Sequence, residues 1–506
     1  METTLNNRRP APRVSRWAAS LAAAAAALAL AGCVNYAGIK SDKQIAPPQQ
    51  FEAKESLPAG GGQWPALDWA QQFGDPQLPK LIEEALQGNP SIDQARARIE
   101  KASSYVGSAN STLYPNVTGS YSWTRELYTG NGIVPPPYGG TWQSENNVLT
   151  SASWDLDLWG KNRDRLRQAV SQEKVADAEA EEVRISLAAS VASTYNHLAQ
   201  LYALRDVEVR EVKNREDIEH ITHGRVGAGL DTNVEQQTAN GDTATTRSSV
   251  SDLDGQITTV RYQLGALLGE GPDRGLTIAR PSLDEVAEAA LPDNLPADLI
   301  SRRPDIVAAF WQVDAAMHDV KEAKAEFYPD VNLSVAAGLD AFGWGRLLTA
   351  SSRQIQAGPA IHLPIFDAGA LRSQLKGRYA DFDYDVATYN QTLINALSDV
   401  ATQISQIRSD DRQLTDAQQA LDAQTKAYQL ALVRYKAGLN EQLQVLNADD
   451  NRLSAEIAVI NLEMGRRGMQ IGLIKALGGG FNAAQAGLAA NTETPIPAPS
   501  NGTTTQ

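Results

Sequence analysis

The chain has 506 residues, 45 basic against 60 acidic, with a formal net charge of −15 and a single cysteine, Cys33. Acidity on this scale argues against nucleic acid and against an anionic lipid surface as partners. One cysteine excludes an internal disulfide, and the length implies two or three domains or one elongated one.

From the N-terminus, residues 1–32 have the form of a secretory signal peptide: Arg8, Arg9, Arg13 and Arg16 precede an Ala/Leu-rich run from Trp17 to Leu30. That run is short for a membrane span. It ends at Leu30-Ala31-Gly32-Cys33, which resembles the lipobox of bacterial lipoproteins. Small residues there fit a peptidase groove and the thiol accepts a diacylglyceryl group, so Cys33 is the expected lipid anchor. Val34 stands where an aspartate would resemble an inner-membrane retention signal, which favours the outer membrane. Cleavage would leave 41 basic and 59 acidic residues, a net charge of −18. After Cys33 there is no apolar stretch of about 20 residues, so no membrane-spanning helix is expected. Residues 33–62 are polar and carry Pro47-Pro48 and a Gly60-Gly61-Gly62 run, which reads as a tether; residues 478–506 read as a disordered tail.

Between these ends the chain repeats itself. Asn89-Pro90-Ser91-Ile92 recurs as Arg303-Pro304-Asp305-Ile306 and Tyr114-Pro115 as Tyr328-Pro329, both 214 residues apart. Gly160 recurs as Gly369, and Arg225-Val226-Gly227-Ala228-Gly229-Leu230 as Arg434-Tyr435-Lys436-Ala437-Gly438-Leu439, both 209 apart. The five-residue slip belongs in an exposed loop of the first copy. The copies are expected at 63–280 and 281–477.

Strand-like alternation flanks the slip in each copy. Val117, Gly119, Tyr121 and Trp123 alternate with Thr118, Ser120 and Ser122, and Val148, Thr150, Ala152, Trp154, Leu156 and Leu158 follow the same rule. The second copy offers Val331, Leu333, Val335, Ala337 and Leu339, then Ile355, Ala357, Ile361, Leu363 and Ile365. Strands are expected at about 116–125, 147–158, 330–340 and 354–365, each long enough to cross a bilayer at a tilt. Trp123, Tyr128, Trp142, Trp154, Trp159 and Trp344 cluster in or beside them, as aromatic girdles do. The alternative is a half-buried sheet in a soluble sandwich.

Long helices fill the rest. Neither Gly nor Pro occurs from Lys161 to His223 or from Arg378 to Ala437. Leu393, Val400, Ile407, Leu414, Leu421, Tyr428 and Tyr435 recur every seven residues, a coiled-coil period. The first copy is less regular, with Arg205 and Glu219 at matching places.

Four strands cannot close a membrane barrel, because an open edge leaves bare amides in hydrocarbon. Eight strands from a dimer would fill with side chains; twelve from a trimer leave a lumen. The expected fold is therefore α+β: a trimeric 12-stranded transmembrane β-barrel, four strands per chain, continued by long helices in two tandem repeats.

At this point the chain resembles the TolC/OprM family of outer-membrane efflux channels, in its lipid-anchored, NodT-type branch. Phe73-Gly74-Asp75-Pro76-Gln77-Leu78, Gly88-Asn89-Pro90, Leu156-Asp157-Leu158-Trp159-Gly160, Arg302-Arg303-Pro304-Asp305-Ile306, Pro364-Ile365-Phe366-Asp367-Ala368-Gly369 and Tyr435-Lys436-Ala437-Gly438 carry the likeness in their order. The resemblance implies a homotrimer, an α-helical periplasmic barrel with a closed tip, and export through a passive tunnel. It also implies docking on a periplasmic adaptor and on an inner-membrane pump, usually of the resistance–nodulation–division type. A protein-secretion outlet driven by an ATP-dependent exporter is the alternative within the fold, and a non-channel coiled-coil lipoprotein the alternative outside it.

The same likeness implies an iris at the two helix–turn–helix ends. Arg225 and Arg434 precede the turn glycines Gly229 and Gly438, and Tyr435 follows Arg434. Glu235, six residues past the first glycine, matches a constriction carboxylate, whereas Gln444 and Asn447 stand where relatives carry aspartates. Asn440 occupies the place of a lock arginine. Asp231, Glu441, Asp449 and Asp450 are the carboxylates that could restore negative potential.

Catalysis has no support: there is no phosphate-binding glycine loop, nucleophile elbow or zinc motif. His220 and His223 are a helical i, i+3 pair without a third ligand in the pattern, and only Met317, Met464 and Met469 follow the signal segment. No cofactor or metal is expected.

Overall fold

The structure, a computed structural model, describes residues 35–47, 50–51, 55–57, 61–284, 292 and 295–489. The signal segment, Cys33 and the tail beyond 489 lie outside the described residues. The elements are α1 (Gln77–Gly88), α2 (Pro90–Ser111), β1 (Asn116–Leu127), β2 (Trp142–Asp155), α3 (Lys161–Gly227), α4 (Asn233–Leu267), α5 (Pro272–Leu276), α6 (Leu295–Arg302), α7 (Pro304–Ala325), β3 (Asp330–Phe342), α8 (Trp344–Leu347), β4 (Arg353–His362), α9 (Ala370–Lys436) and α10 (Gln442–Ala476).

The repeat is structural. Helices of 22, 67 and 35 residues (α2, α3, α4) recur with the same lengths as α7, α9 and α10. At ~1.5 Å per residue the 67-residue helices are ~100 Å long. Each follows a left-handed glycine, Gly160 at φ 83° and Gly369 at φ 88°, a conformation that glycine adopts without penalty. An aspartate caps each start. Asp157 accepts from the amides of Asn162 at 2.9 Å and Arg163 at 3.1 Å, and Asp367 from Gly369 at 2.9 Å and Leu371 at 2.7 Å. These bonds satisfy amides with no partner in the first helical turn and place negative charge at the positive end of the dipole.

The strands form one antiparallel sheet in the order β1-β2-β3-β4. Its registers put Tyr121 opposite Val148, Ala152 opposite Val335, and Val331 opposite Ile361, so apolar residues share one face. Nothing in the chain covers that face: Tyr121, Trp123, Leu333, Val335, Ile355 and Ile361 are all exposed, and β1 is exposed throughout. A soluble sandwich would bury them. The strand limits differ from the alternation pattern. β2 starts at Trp142 and stops at Asp155, because Asp157 (φ 45°) turns the chain, so Leu156 and Leu158 lie past the strand. β4 stops at His362, and Pro364 soon after has no amide to offer a ladder.

The helices form one layer in the order α2/α4, α3, α7/α10, α9. The short and long members abut end to end: Asn89 Nδ2 donates to the Leu267 carbonyl at 2.8 Å, and Arg303 Nη1 to that of Ala476 at 3.2 Å. Leu393, Val400, Ile407 and Tyr435 of the heptad series are buried, while Leu414, Leu421 and Tyr428 are half-buried on the stretch that runs toward the tip. Among the described residues no helix is long and apolar enough to cross a membrane.

Both presumed loose ends are packed where described, which corrects the tether and tail expectations. The Asn35 carbonyl accepts from Arg372, the Ser41 hydroxyl donates to Asp383, and the Ala46 amide donates to Asn390 at 2.8 Å. Tyr36, Ile39, Ile45, Phe51 and Leu57 lie against the core along this segment. At the other end Phe481, Ala483 and Leu488 are buried, and Trp311 donates to the Leu488 carbonyl at 2.9 Å. Polar and glycine-rich composition hides a few well-spaced apolar anchors.

Candidate functional site

Both helical hairpins reverse at the end remote from the sheet, and both use the same turn. Gly229 (φ 73°) and Gly438 (φ 76°) are left-handed. The Leu230 amide reaches back to the Arg225 carbonyl at 2.9 Å and the Leu439 amide to that of Arg434 at 2.8 Å, the six-to-one bond of a glycine-terminated helix.

The next helices start differently. Thr232 and Glu235 form a reciprocal capping box, in which Thr232 accepts from the Val234 amide at 3.2 Å and Glu235 accepts from the Thr232 amide at 2.8 Å. In the second copy Glu441 occupies the cap without a side-chain bond, and Gln444 stands in the place of Glu235. The structure therefore engages the Glu235 carboxylate locally. Hydrogen bonds from Thr232 hold it below the usual carboxylate range.

Arg225, Asp231 and Tyr435 are brought together. Arg225 grips Asp231 with two bonds, Nε to Oδ2 at 2.7 Å and Nη2 to Oδ1 at 2.9 Å. Its Nη1 donates to the Tyr435 carbonyl at 3.1 Å, and the guanidinium lies 4.5 Å from the centre of that ring. The Tyr435 hydroxyl donates to Asp231 at 2.9 Å. Thr222 lies 3.1 Å from that hydroxyl and accepts from Gln442 Nε2 at 3.0 Å. The Arg225 bond lowers the Asp231 pKa, and burial raises that of Tyr435. Arg434, Glu441, Gln444 and Asn447 are not part of this cluster; all four are exposed.

A second cluster sits along α3 and α10, and the sequence reading missed most of it. Glu211 accepts from Arg215 Nε at 2.6 Å and from Arg452 Nη2 at 2.6 Å, and Arg452 also donates to Asp449 at 2.8 Å. Asp450 accepts from Arg215 at 2.5 Å. Asp449 is fully buried and faces no solvent in the chain, which corrects its assignment as a free source of negative potential. Its Oδ2 has no donor, while burial and the neighbouring Glu211 push its pKa up to about 7. A proton held between the two carboxyls fits both observations. The heptad irregularity of the first copy was the only trace of this cluster in the sequence.

His220 and His223 are exposed, and among the described residues no group of three or more His, Cys, Asp or Glu is placed to hold a metal ion.

Comparison with known proteins agrees with this architecture. Residues 81–270 and 295–479 match the family described as Outer membrane efflux protein. The chain is 30% identical over 467 residues to the multidrug resistance outer membrane protein MdtP of Shigella flexneri, covering 90% of this chain and 95% of that one. It is 33% identical over 363 residues to the fusaric acid resistance protein FusA of Burkholderia cepacia, covering 70% and 68%. The crystal structure of the outer membrane protein VceC from Vibrio cholerae superposes with a TM-score of 0.78 at 32% identity, covering 83% of this chain and all of that one. The chain belongs to the outer membrane efflux protein family.

Proposed function

We propose that three copies close into one outer-membrane tunnel that exports small molecules delivered by a periplasmic adaptor and an inner-membrane pump of the resistance–nodulation–division type. The observation that carries this reading is the sheet. Its edges β1 and β4 are unpaired and its apolar face is uncovered, and in hydrocarbon only closure satisfies the edge amides. The names of MdtP and FusA, which point to drug and fusaric acid resistance, support small molecules as cargo.

Lipid anchoring at Cys33 has independent support. Tyr36 packs edge-on against Phe327 at 5.4 Å and its hydroxyl lies 3.0 Å from that of Tyr328, just ahead of β3. Cys33, three residues earlier, is then within ~11 Å of the foot of the sheet. The gate is the tip. Arg225, Asp231 and Tyr435 latch the two hairpins, and the exposed Arg434, Glu441, Gln444 and Asn447 face the constriction.

A strain lacking the gene, with adaptor and pump intact, tests this function. Increased drug susceptibility, restored by the wild-type chain, is the expected result. Unchanged susceptibility with loss of one secreted protein would overturn it in favour of a secretion outlet.

A further inference from the structure

The two halves correspond residue by residue, and that correspondence defines a contact which one chain cannot make. In the first hairpin Asn116 lies opposite Ser153; in the second, Asp330 lies opposite His362. Shifting the first pair by the sequence offsets of 214 and 209 gives the second without error. The halves are joined by one seam, β2 on β3 and α3 on α7. Its counterpart would set β4 on β1 and α9 on α2, and each of those elements is an edge of its layer.

We propose that the seam between neighbouring copies repeats the internal seam in register, with Ala360 opposite Ser122 and Ile361 opposite Tyr121 of the next copy, and with Asp381 meeting Arg98 of that copy. This rests on the trimeric reading above. The strand pairs are the images of Ser151 opposite Ala336 and Ala152 opposite Val335. The helix pair is the image of Gln172 and Gln312, which are hydrogen-bonded at 3.2 Å.

Two observations that did not enter the mapping agree with it. The first is facing: Ile355, Pro359 and Ile361 come opposite Leu127, Trp123 and Tyr121, so the apolar face continues across the seam. A slip of one residue would set those side chains against the polar face. The second is charge: an internal pair of neutral amides becomes a carboxylate and a guanidinium. Asp381 is 69% exposed within the chain, and Arg98 is exposed too. Arg98, Lys101 and Arg378 line the same groove, so Asp381 would stand among three cations.

Cysteine cross-linking of the full-length protein in outer-membrane vesicles tests the register. Opposite residues in an antiparallel pair have Cα atoms ~4.5–5.5 Å apart, within disulfide reach, whereas a two-residue offset exceeds ~7 Å. Under mild oxidant, Ser122→Cys with Ala360→Cys should give covalent dimers and trimers, and either single variant should give neither. Ser122→Cys with Gly358→Cys should link poorly. A native trimer whose offset pair links as well as the predicted pair, or in which neither links, overturns the register. A protein that is monomeric by native mass overturns the trimer instead. For the helices, Asp381→Arg should lower the share of trimer surviving in detergent several-fold, and adding Arg98→Asp should recover most of it. A double variant no better than the single one would show that the two residues do not meet.

Discussion

The Tyr435 hydroxyl donates a 2.9 Å hydrogen bond to Asp231, linking the end of α9 to the turn between α3 and α4. This bond crosses from one repeat to the other, and Arg225 completes it from below by binding both Asp231 oxygens.

Asp231→Asn should therefore loosen the tip. It leaves Arg225 with a neutral partner and costs about 2 kcal/mol locally, the scale of a hydrogen bond to a charged group. The expected outcome in planar bilayers is a larger mean conductance than wild type, with Tyr435→Phe acting in the same direction but less. Because Arg225 holds the Asp231 carboxyl below its usual range, the pair's contribution is complete above about pH 4 and fades as acid titrates the folded carboxyl. Wild-type conductance should rise on acidification below that point, and Asp231→Asn should not respond.

Asp449 titrates in the opposite sense. Its folded pKa of about 7 exceeds the unfolded value, so the folded chain holds the proton longer. Stability should fall as pH rises from about 4 to about 7 and then level off. Asp449→Asn, which keeps the shape without the ionisation, should flatten that decline in denaturant midpoints measured across the range. An unchanged slope would mean that Glu211 and Asp449 do not share a proton.

The Thr232 cap separates structure from gating. Thr232→Ala should cost about 1 kcal/mol of helix stability and speed hydrogen exchange at the start of α4. Glu235→Gln should act in the same direction, through the capping box, with little change in conductance. If Glu235→Gln instead alters ion selectivity as strongly as Gln444→Glu, its carboxylate belongs to the constriction.

Gly478 tests the junction of the helical stack. At φ 89° and with an added Cβ only 1.8 Å from the Arg302 carbonyl, alanine would need backbone movement. Gly478→Ala should cost about 3 kcal/mol and lower the folded yield.

Much of the fold was legible because it rests on periodicity. The alternation through Val117, Tyr121 and Trp123, the heptads through Val400 and Ile407, and the duplicated turn glycines all report local geometry. Strand ends were less legible: Leu156 and Leu158 keep the alternation past the point where the positive φ of Asp157 breaks it. The polar site was the least legible. Arg225, Asp231 and Tyr435 were named from their place beside a turn, but Thr222 and Gln442 meet them only through packing of α3 on α10. Glu211 and Asp449 lie 238 residues apart in the chain, and no short-range pattern joins them.

The most direct test of the tunnel is single-channel recording of the purified protein in planar bilayers, paired with its native mass. A trimer that conducts weakly as wild type and strongly as Asp231→Asn is the predicted result. A trimer with no conductance in either form, even when Arg225 and Arg434 are also replaced, would contradict it.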